Sequence, residues 1–540
     1  LIQFLKKPAH WRASTIGGLL LAFILVVLSI AFIDRFPQLD TLDELHNWVV
    51  QWTYARTGLL GDWFYRQMIP LPQPIYDSFH IPAALLLRFI GDDFWHARFA
   101  RFALTCITLP FIYESGKILY GKRAGLLACL AALLLMAPTN FVRPDYGVGI
   151  MLTLGLYVFL LAERRTSPLI TIGGGWMPTY SPLLHFLTGL LIGLGGEGHP
   201  LAYRFGIAFG LIYLLRWGRA IIAQRRLFID GRTIALGMGG VTALMLYLAI
   251  HIIPGWEQGT HFALSYSPIG RSPTNQLEAA IDILRRQVEV WQEYSPAEFI
   301  LFVPALAVAV FRKHRGDKLI LFILLVSEVL MLLTYGYYRA FYQVHFLPLF
   351  ALLLGKFLAD WLDFRPDPRP ASASRLQWVA TMAVLAGCAA TLYVRAAAMR
   401  DPMRDEFENI GAQLAATIPP GTRVVGNENY FLTYPSMDYY GVSTVATPAW
   451  FLVNLQGYAL WRATAPDMFI LSPEIDTPKY VPRDSIDLYM NLFDFKRIRC
   501  YTATGKIHAF VYARELPAGW DPSLDCQRWG GPEPMISARR

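Results

Sequence analysis

Ile16-Gly17-Gly18-Leu19-Leu20-Leu21-Ala22-Phe23-Ile24-Leu25-Val26-Val27-Leu28-Ser29-Ile30-Ala31-Phe32-Ile33 is the stretch on which the fold turns. It is almost wholly apolar, preceded by Lys6, Lys7 and Arg12 and closed by Asp34-Arg35. At about 1.5 Å per residue, a helix of this length crosses a hydrocarbon core of ~30 Å. The basic flank places the N-terminal end in the cytoplasm. We read the run as a retained first span; as a leader, it would offer Ser29-Ile30-Ala31 for cleavage.

Similar runs, each about 15–22 residues long, recur through the chain. Hydrophobic residues make up 54% of the 540 and charged residues 16%. Soluble domains carry about 25% charge, so a water-soluble protein is excluded. The formal net charge is +8, but its basic residues sit in short loops between apolar runs. They form no long stretch that could follow a phosphate backbone, which sets nucleic acid aside.

Those loops instead set orientation. Lys122-Arg123, Arg164-Arg165, the cluster Arg216, Arg219, Arg225, Arg226 and Arg232, then Arg312, Lys313, Arg315 and Lys318, and last Arg365, Arg369 and Arg375 mark every second loop. The pattern predicts a polytopic α-helical membrane protein with about eleven transmembrane helices over residues 1–399 and the C-terminus on the far side. Gly173-Gly174-Gly175 and Pro178 interrupt the stretch from Pro168 to Gly196, so its span is expected to start near Ser181.

Three far-side segments are long enough to have structure. Residues 34–98 contain Leu42, Leu45, Val49 and Trp52 at helical spacing, with Trp48, Trp63, Phe64 and Tyr65, the content of an interfacial helix. Residues 255–298 include a polar helical stretch around Asn275–Glu293. Residues 400–540 read as a small extracytoplasmic α/β domain. Its expected elements are a helix facing Phe407, Ile410 and Leu414 inward and strands at Thr422–Val425, Asp467–Leu471 and Ile507–Tyr512. Five cysteines are too few for a disulfide framework. Cys106, Cys129 and Cys388 read as small buried hydrophobes, while Cys500 and Cys526 are placed to pair if the tail faces an oxidising compartment.

The candidate chemistry lies just outside the spans. Asp43-Glu44 opens the segment after the first run, where a carboxylate can take a proton from a hydroxyl or hold a metal ion; the alternative is a role in the helix dipole. Asp145 lies in the tight loop Phe141-Val142-Arg143-Pro144-Asp145-Tyr146, which also reads as ordinary turn chemistry. Arg339, Tyr342 and His345 precede a late span. An arginine there can grip a phosphate through two hydrogen bonds or reach for the membrane interface. Glu114 and Glu328 fall within spans and read as packing groups.

In order and placement these residues resemble the polyprenyl-phosphate-dependent glycosyltransferases of the GT-C superfamily (glycosyltransferase family 39-like), which include protein O-mannosyltransferases and the lipid A aminoarabinose transferase. The likeness rests on the acidic pair Asp43-Glu44, the small-residue turn Arg56-Thr57-Gly58 and the approach Phe79-His80-Ile81-Pro82 to Ile90-Gly91. It continues through Ala97-Arg98, Gly121-Lys122-Arg123, Asp145, and Arg339, Tyr342 and Pro348, covering about residues 15–365. Relatives carry a Lys after the fifth span, where this chain has Gly195-Gly196-Glu197-Gly198-His199-Pro200; His199 stands in for it, or Arg339 holds the phosphate alone.

The resemblance implies inverting transfer of a sugar from a polyprenyl-phosphate donor to an acceptor hydroxyl on a glycan, lipid or protein, at the periplasmic face of an inner membrane. Asp43 would be the general base, and Glu44 and Asp145 would orient the acceptor or a divalent cation. Arg339 and His345, with Tyr342 and His199, would bind the donor phosphate. Other classes stay open. A membrane scaffold presenting residues 400–540 to a larger assembly would not need this constellation, and a lipid-linked oligosaccharide polymerase or ligase would use a pyrophosphate donor. A transporter fits less well, since the sequence shows no internal repeat.

Overall fold

In a computed structural model of the chain, the described residues are 20–28, 30, 42–58, 77–136, 142–164, 181–225, 230–253, 276–294, 296–312, 314–334, 342–363 and 371–398. In the C-terminal region they are 418–419, 421–426, 439–441, 465–471, 489–502 and 507–514. The chain divides into two compact units. Leu1–Gln38, Pro74–Ile90 and Trp95–Met399 form the first, and Leu39–Gln73, Gly91–Phe94 and Arg400–Arg540 the second.

The helices begin with α1 (Leu42–Thr57), α2 (Asp77–Ile90), α3 (Phe94–Cys106), α4 (Leu109–Tyr120), α5 (Lys122–Met136) and α6 (Tyr146–Arg164). They continue with α7 (Ser181–Leu194), α8 (Tyr203–Gln224), α9 (Gly231–Tyr247) and α10 (Gln276–Tyr294). The last four are α11 (Pro296–Phe311), α12 (Arg315–Thr334), α13 (Gln343–Asp363) and α14 (Ala371–Ala398). Helix α7 starts at Ser181, where the glycine-rich interruption predicts it, and α10 matches the expected polar helix.

Among the described residues, five stretches are long and apolar enough to cross a membrane: Phe94–Tyr120, Tyr146–Arg164, Pro200–Gln224, Gly231–Ile250 and Gln343–Asp363. Phe79–Ile90, Pro182–Glu197, Phe299–Phe311 and Gln377–Thr391 are apolar but shorter. Much of the first expected span, Ile16–Ile33, lies outside the described residues.

Helix α13 is the core of the first unit. Its run Phe346-Leu347-Pro348-Leu349-Phe350-Ala351-Leu352-Leu353-Leu354 has no polar face, and every one of these residues is buried. Helices α4, α5, α6, α11, α12 and α14 pack around it. Glu328 has the interhelical packing partner expected of it, accepting from Gln287 of α10 at 2.9 Å, whereas Glu114, expected to pack between helices, pairs at 2.7 Å with Lys117 of its own helix.

An ion network ties the far end of α13 to its neighbours. Arg312 grips the fully buried Asp317 through Nε at 2.5 Å and a terminal nitrogen at 3.1 Å, and also pairs with Asp360. Lys356 donates to the same Asp360 at 2.5 Å. Arg312→Ala would strand the Asp317 carboxylate in the interior, at a cost of about 3 kcal/mol. We expect a lowered thermal midpoint in detergent, with Arg312→Lys falling between it and wild type because lysine keeps the charge and loses the fork.

In the second unit, α1 buries Trp48, Val49 and Trp52 completely. Trp48 donates to the Asp92 carbonyl at 3.1 Å and meets the Phe94 ring edge-on, while Arg56 pairs with Asp92 at 2.5 Å. The aromatic face of this helix is therefore covered by protein. The same unit holds a five-stranded sheet of order β2-β1-β3-β5-β4, made of β1 (Val424–Gly426), β2 (Tyr439–Gly441), β3 (Met468–Leu471), β4 (Lys496–Thr502) and β5 (Ile507–Ala513). Strand β1 runs parallel to β2 and β3, and β5 runs antiparallel to β3 and β4. The expected tail helix and Cys526 lie outside the described residues, as does the Cys500 side chain.

Candidate active site

Three helix starts in the first unit bring the candidate residues together. Asp145 immediately precedes α6, and His199 caps the short turn Pro200–Ala202 that leads into α8. His345 lies in the first turn of α13. Close backbone contacts hold the starts in register. Gly198 is so tight against the Pro144 carbonyl that a Cβ would lie 2.8 Å from it, and a Cβ on Gly149 would lie 2.6 Å from the carbonyl of Val344. Pro348, one turn on, has no N–H to return to that carbonyl. Tyr146 fixes the start of α6 by donating its hydroxyl proton to the carbonyl of Phe79.

Asp145, His199, Tyr342 and His345 are all buried. Asp145 Oδ2 accepts from Arg143 Nε at 2.9 Å, and Oδ1 lies 3.1 Å from His345 Nε2. On the other side of that ring, Nδ1 lies 2.9 Å from a terminal nitrogen of Arg204. Arg204 is itself wholly buried, against Met331 Sδ at 2.8 Å and with its guanidinium carbon 4.4 Å from the Phe346 ring centre. His199 stacks edge-on to Tyr342 at 5.1 Å and tilts against His345 at 5.6 Å, with its Nδ1 accepting the Leu201 N–H at 3.0 Å.

The charges follow from these contacts. Burial alone would raise the Asp145 carboxyl, but the Arg143 guanidinium and the His345 hydrogen bond overturn it and hold the group well below the usual carboxylate range. Asp145 is thus a buried carboxylate whose surroundings favour its ionised form. Burial, opposed by Asp145 and helped by the nearby arginines, pushes His199 down to about 3. His199 is neutral at physiological pH, in keeping with a ring nitrogen that accepts a backbone proton.

The sequence-predicted residues therefore divide. Asp145, His199, Tyr342 and His345, though far apart in the chain, meet in one cluster. Asp43 and Glu44 occupy the first turn of α1, in the second unit, and their side chains lie outside the described residues. Arg339 lies outside them as well. Two members were missed: Arg143, visible within the quoted loop, and Arg204. A single arginine heading an apolar span, five residues after His199, was the available signal.

The overall fold resembles that of solved structures. ArnT from Cupriavidus metallidurans in the apo state superposes with a TM-score of 0.60 at 13% identity, over 93% of this chain and 98% of that one. The same enzyme bound to undecaprenyl phosphate gives 0.57 at 13% identity, over 92% and 98%. The archaeal oligosaccharyltransferase AglB from Archaeoglobus fulgidus, in complex with an inhibitory peptide and a dolichol-phosphate, gives 0.50 at 11% identity, over 94% and 75%. The chain shares its fold with ArnT and with AglB. No family model matches the sequence, and no curated protein matches it either. At these identities the GT-C likeness is one of fold, and with the apolar helices it makes this a multi-pass membrane protein.

Proposed function

We propose that the chain is a membrane glycosyltransferase that moves a sugar from a polyprenyl-phosphate carrier to an acceptor hydroxyl, inverting the anomeric carbon. The observation that carries this reading is a GT-C fold in which three helix starts converge beside a buried, ionised carboxylate. Helix N-termini favour anions. The undecaprenyl phosphate bound to ArnT and the dolichol-phosphate bound to AglB suggest which anion.

In this mechanism the acceptor oxygen attacks the anomeric carbon and its proton passes to Asp43. The bond between that carbon and the phosphate oxygen breaks, and polyprenyl phosphate leaves with the electron pair. Such a leaving group needs charge stabilisation more than a proton. Arg339 supplies it, with His199 and Tyr342 walling the site. Glu44 and Asp145 orient the acceptor. Both ring nitrogens of His345 are engaged within the protein, so its part is to hold Asp145. The chemistry lies on the extracytoplasmic face of an inner membrane, with the N-terminus cytoplasmic and residues 400–540 periplasmic, because a lipid carrier can be flipped while nucleotide sugars stay inside.

The test is a panel of polyprenyl-phosphate sugars offered to the purified protein in detergent, with released polyprenyl phosphate as the readout. At least one donor should be consumed in an acceptor-dependent way. The AglB likeness favours a second reading, transfer of a lipid-linked oligosaccharide, so a pyrophosphate-linked donor belongs in the panel. Turnover of that donor alone would select the second reading.

A further inference from the structure

We propose that Arg204 is a positioning residue whose guanidinium fixes the tautomer of His345 and so closes the Asp145–His199–His345 cluster to metal ions. This deepens the reading of the site given above, but its test needs no transfer activity, so either can fail while the other stands.

By composition the cluster looks like a metal centre. One ligand atom from each of Asp145, His199 and His345 falls within 4.8 Å of the others, and all three residues are buried. An imidazole and carboxylate set of this kind suits zinc and its neighbours. The hydrogen bonds run against it. A guanidinium carries donors only and does not lose its proton in proteins. With Arg204 2.9 Å from Nδ1, that nitrogen must present its lone pair, and the ring proton must sit on Nε2. Nε2 faces Asp145 Oδ1 at 3.1 Å and donates to it. A histidine ligand has to offer a lone pair to the metal, and neither nitrogen of His345 has one to spare.

The partner is also of the wrong polarity. A metal-bound histidine hands its second N–H to an acceptor, usually a carboxylate or a carbonyl. Here that place is taken by a donor, which drives the ring into the opposite tautomer. The charges agree. Asp145 is already paired with Arg143 at 2.9 Å, and Arg204 brings a second positive charge, with Glu328 as the further carboxylate within its electrostatic reach. A divalent cation would have to displace an arginine. What remains is a line of hydrogen bonds from Arg204 through His345 to Asp145, all donated in one direction and each strengthening the next.

The experiment is calorimetric titration of zinc into the chelator-stripped, full-length protein in detergent. Wild type and Asp145→Asn should give coincident isotherms. Arg204→Leu should gain one zinc equivalent, about tenfold or more tighter than the wild-type background, and lose it again in Arg204→Leu/His199→Asn. Arg204→Lys still donates to Nδ1 and should behave as wild type. A folded Arg204→Leu protein that gains no equivalent overturns the assignment. If that variant does not fold, the first comparison decides: a wild-type zinc equivalent that vanishes in Asp145→Asn overturns the proposal, and coincident isotherms uphold it.

Discussion

Asp43→Asn is expected to cut turnover by about 10²–10⁴-fold, the usual worth of a general base, while its thermal midpoint stays near that of the wild-type protein. The pairing of these readouts separates the two roles open to this residue. Asp43 lies in the first turn of α1, where a carboxylate interacts favourably with the helix dipole. That interaction is worth about 0.3–1 kcal/mol, and its loss alone would leave turnover unchanged. A base, by contrast, costs the reaction far more than it costs the fold. Asp145→Asn should behave differently. The amide can no longer satisfy Arg143 and His345 as an anion, which leaves a buried guanidinium short of its counter-charge. Turnover and thermal midpoint should both fall. A parallel loss in Asp43→Asn would place that residue in the structure and not in the chemistry.

What the sequence made legible follows from what each signal measures. Apolar runs report on lipid, so α6, α8, α9 and α13 could be read from hydropathy alone. The start of α7 could be read from three successive glycines and Pro178. Strands β3 and β5 stood out as apolar stretches between turn residues. Strand β4, Lys496-Arg497-Ile498-Arg499-Cys500-Tyr501-Thr502, did not, because its charged residues break the apolar pattern that a strand normally shows. The short β2 has too few residues to carry a period.

The cluster was half legible for a related reason. Asp145, His199 and His345 announce themselves as polar groups at the ends of apolar runs. Which atom of each faces which neighbour is decided by helix packing, which no spacing encodes. Arg204 shows this best. In the sequence it is one more basic residue at a membrane boundary, indistinguishable from an arginine reaching for lipid headgroups. In the fold it is buried between Met331, Phe346 and His345, and the side of the ring that it touches determines what the cluster can bind.

The largest structural effect is expected where α7 meets α9. A Cβ on Gly189 would lie 2.0 Å from the Leu236 carbonyl oxygen, and one on Gly239 would lie 2.0 Å from that of Phe186. Gly193 sits one turn on from Gly189, with its Cβ position 2.6 Å from that of Ala243. Small residues four apart on both helices let the backbones touch, as in close-packed membrane helix pairs. No rotamer change can relieve a clash with a carbonyl oxygen, so the helices must separate. Gly189→Ala and Gly239→Ala should each cost about 3 kcal/mol, the upper end for overpacking, and the double variant should fail to give a monodisperse peak in detergent. Gly237→Ala is the control: it lies on the same helix with nothing near its Cβ position, and should change neither peak nor midpoint. The consequence reaches the site, because α7 runs directly into the turn Gly195–Glu197 that carries Gly198 and His199. Prising α7 from α9 disturbs the close packing of Gly198 on the Pro144 carbonyl, where a Cβ would not fit, so a single variant that still folds should lose turnover beyond what its stability explains.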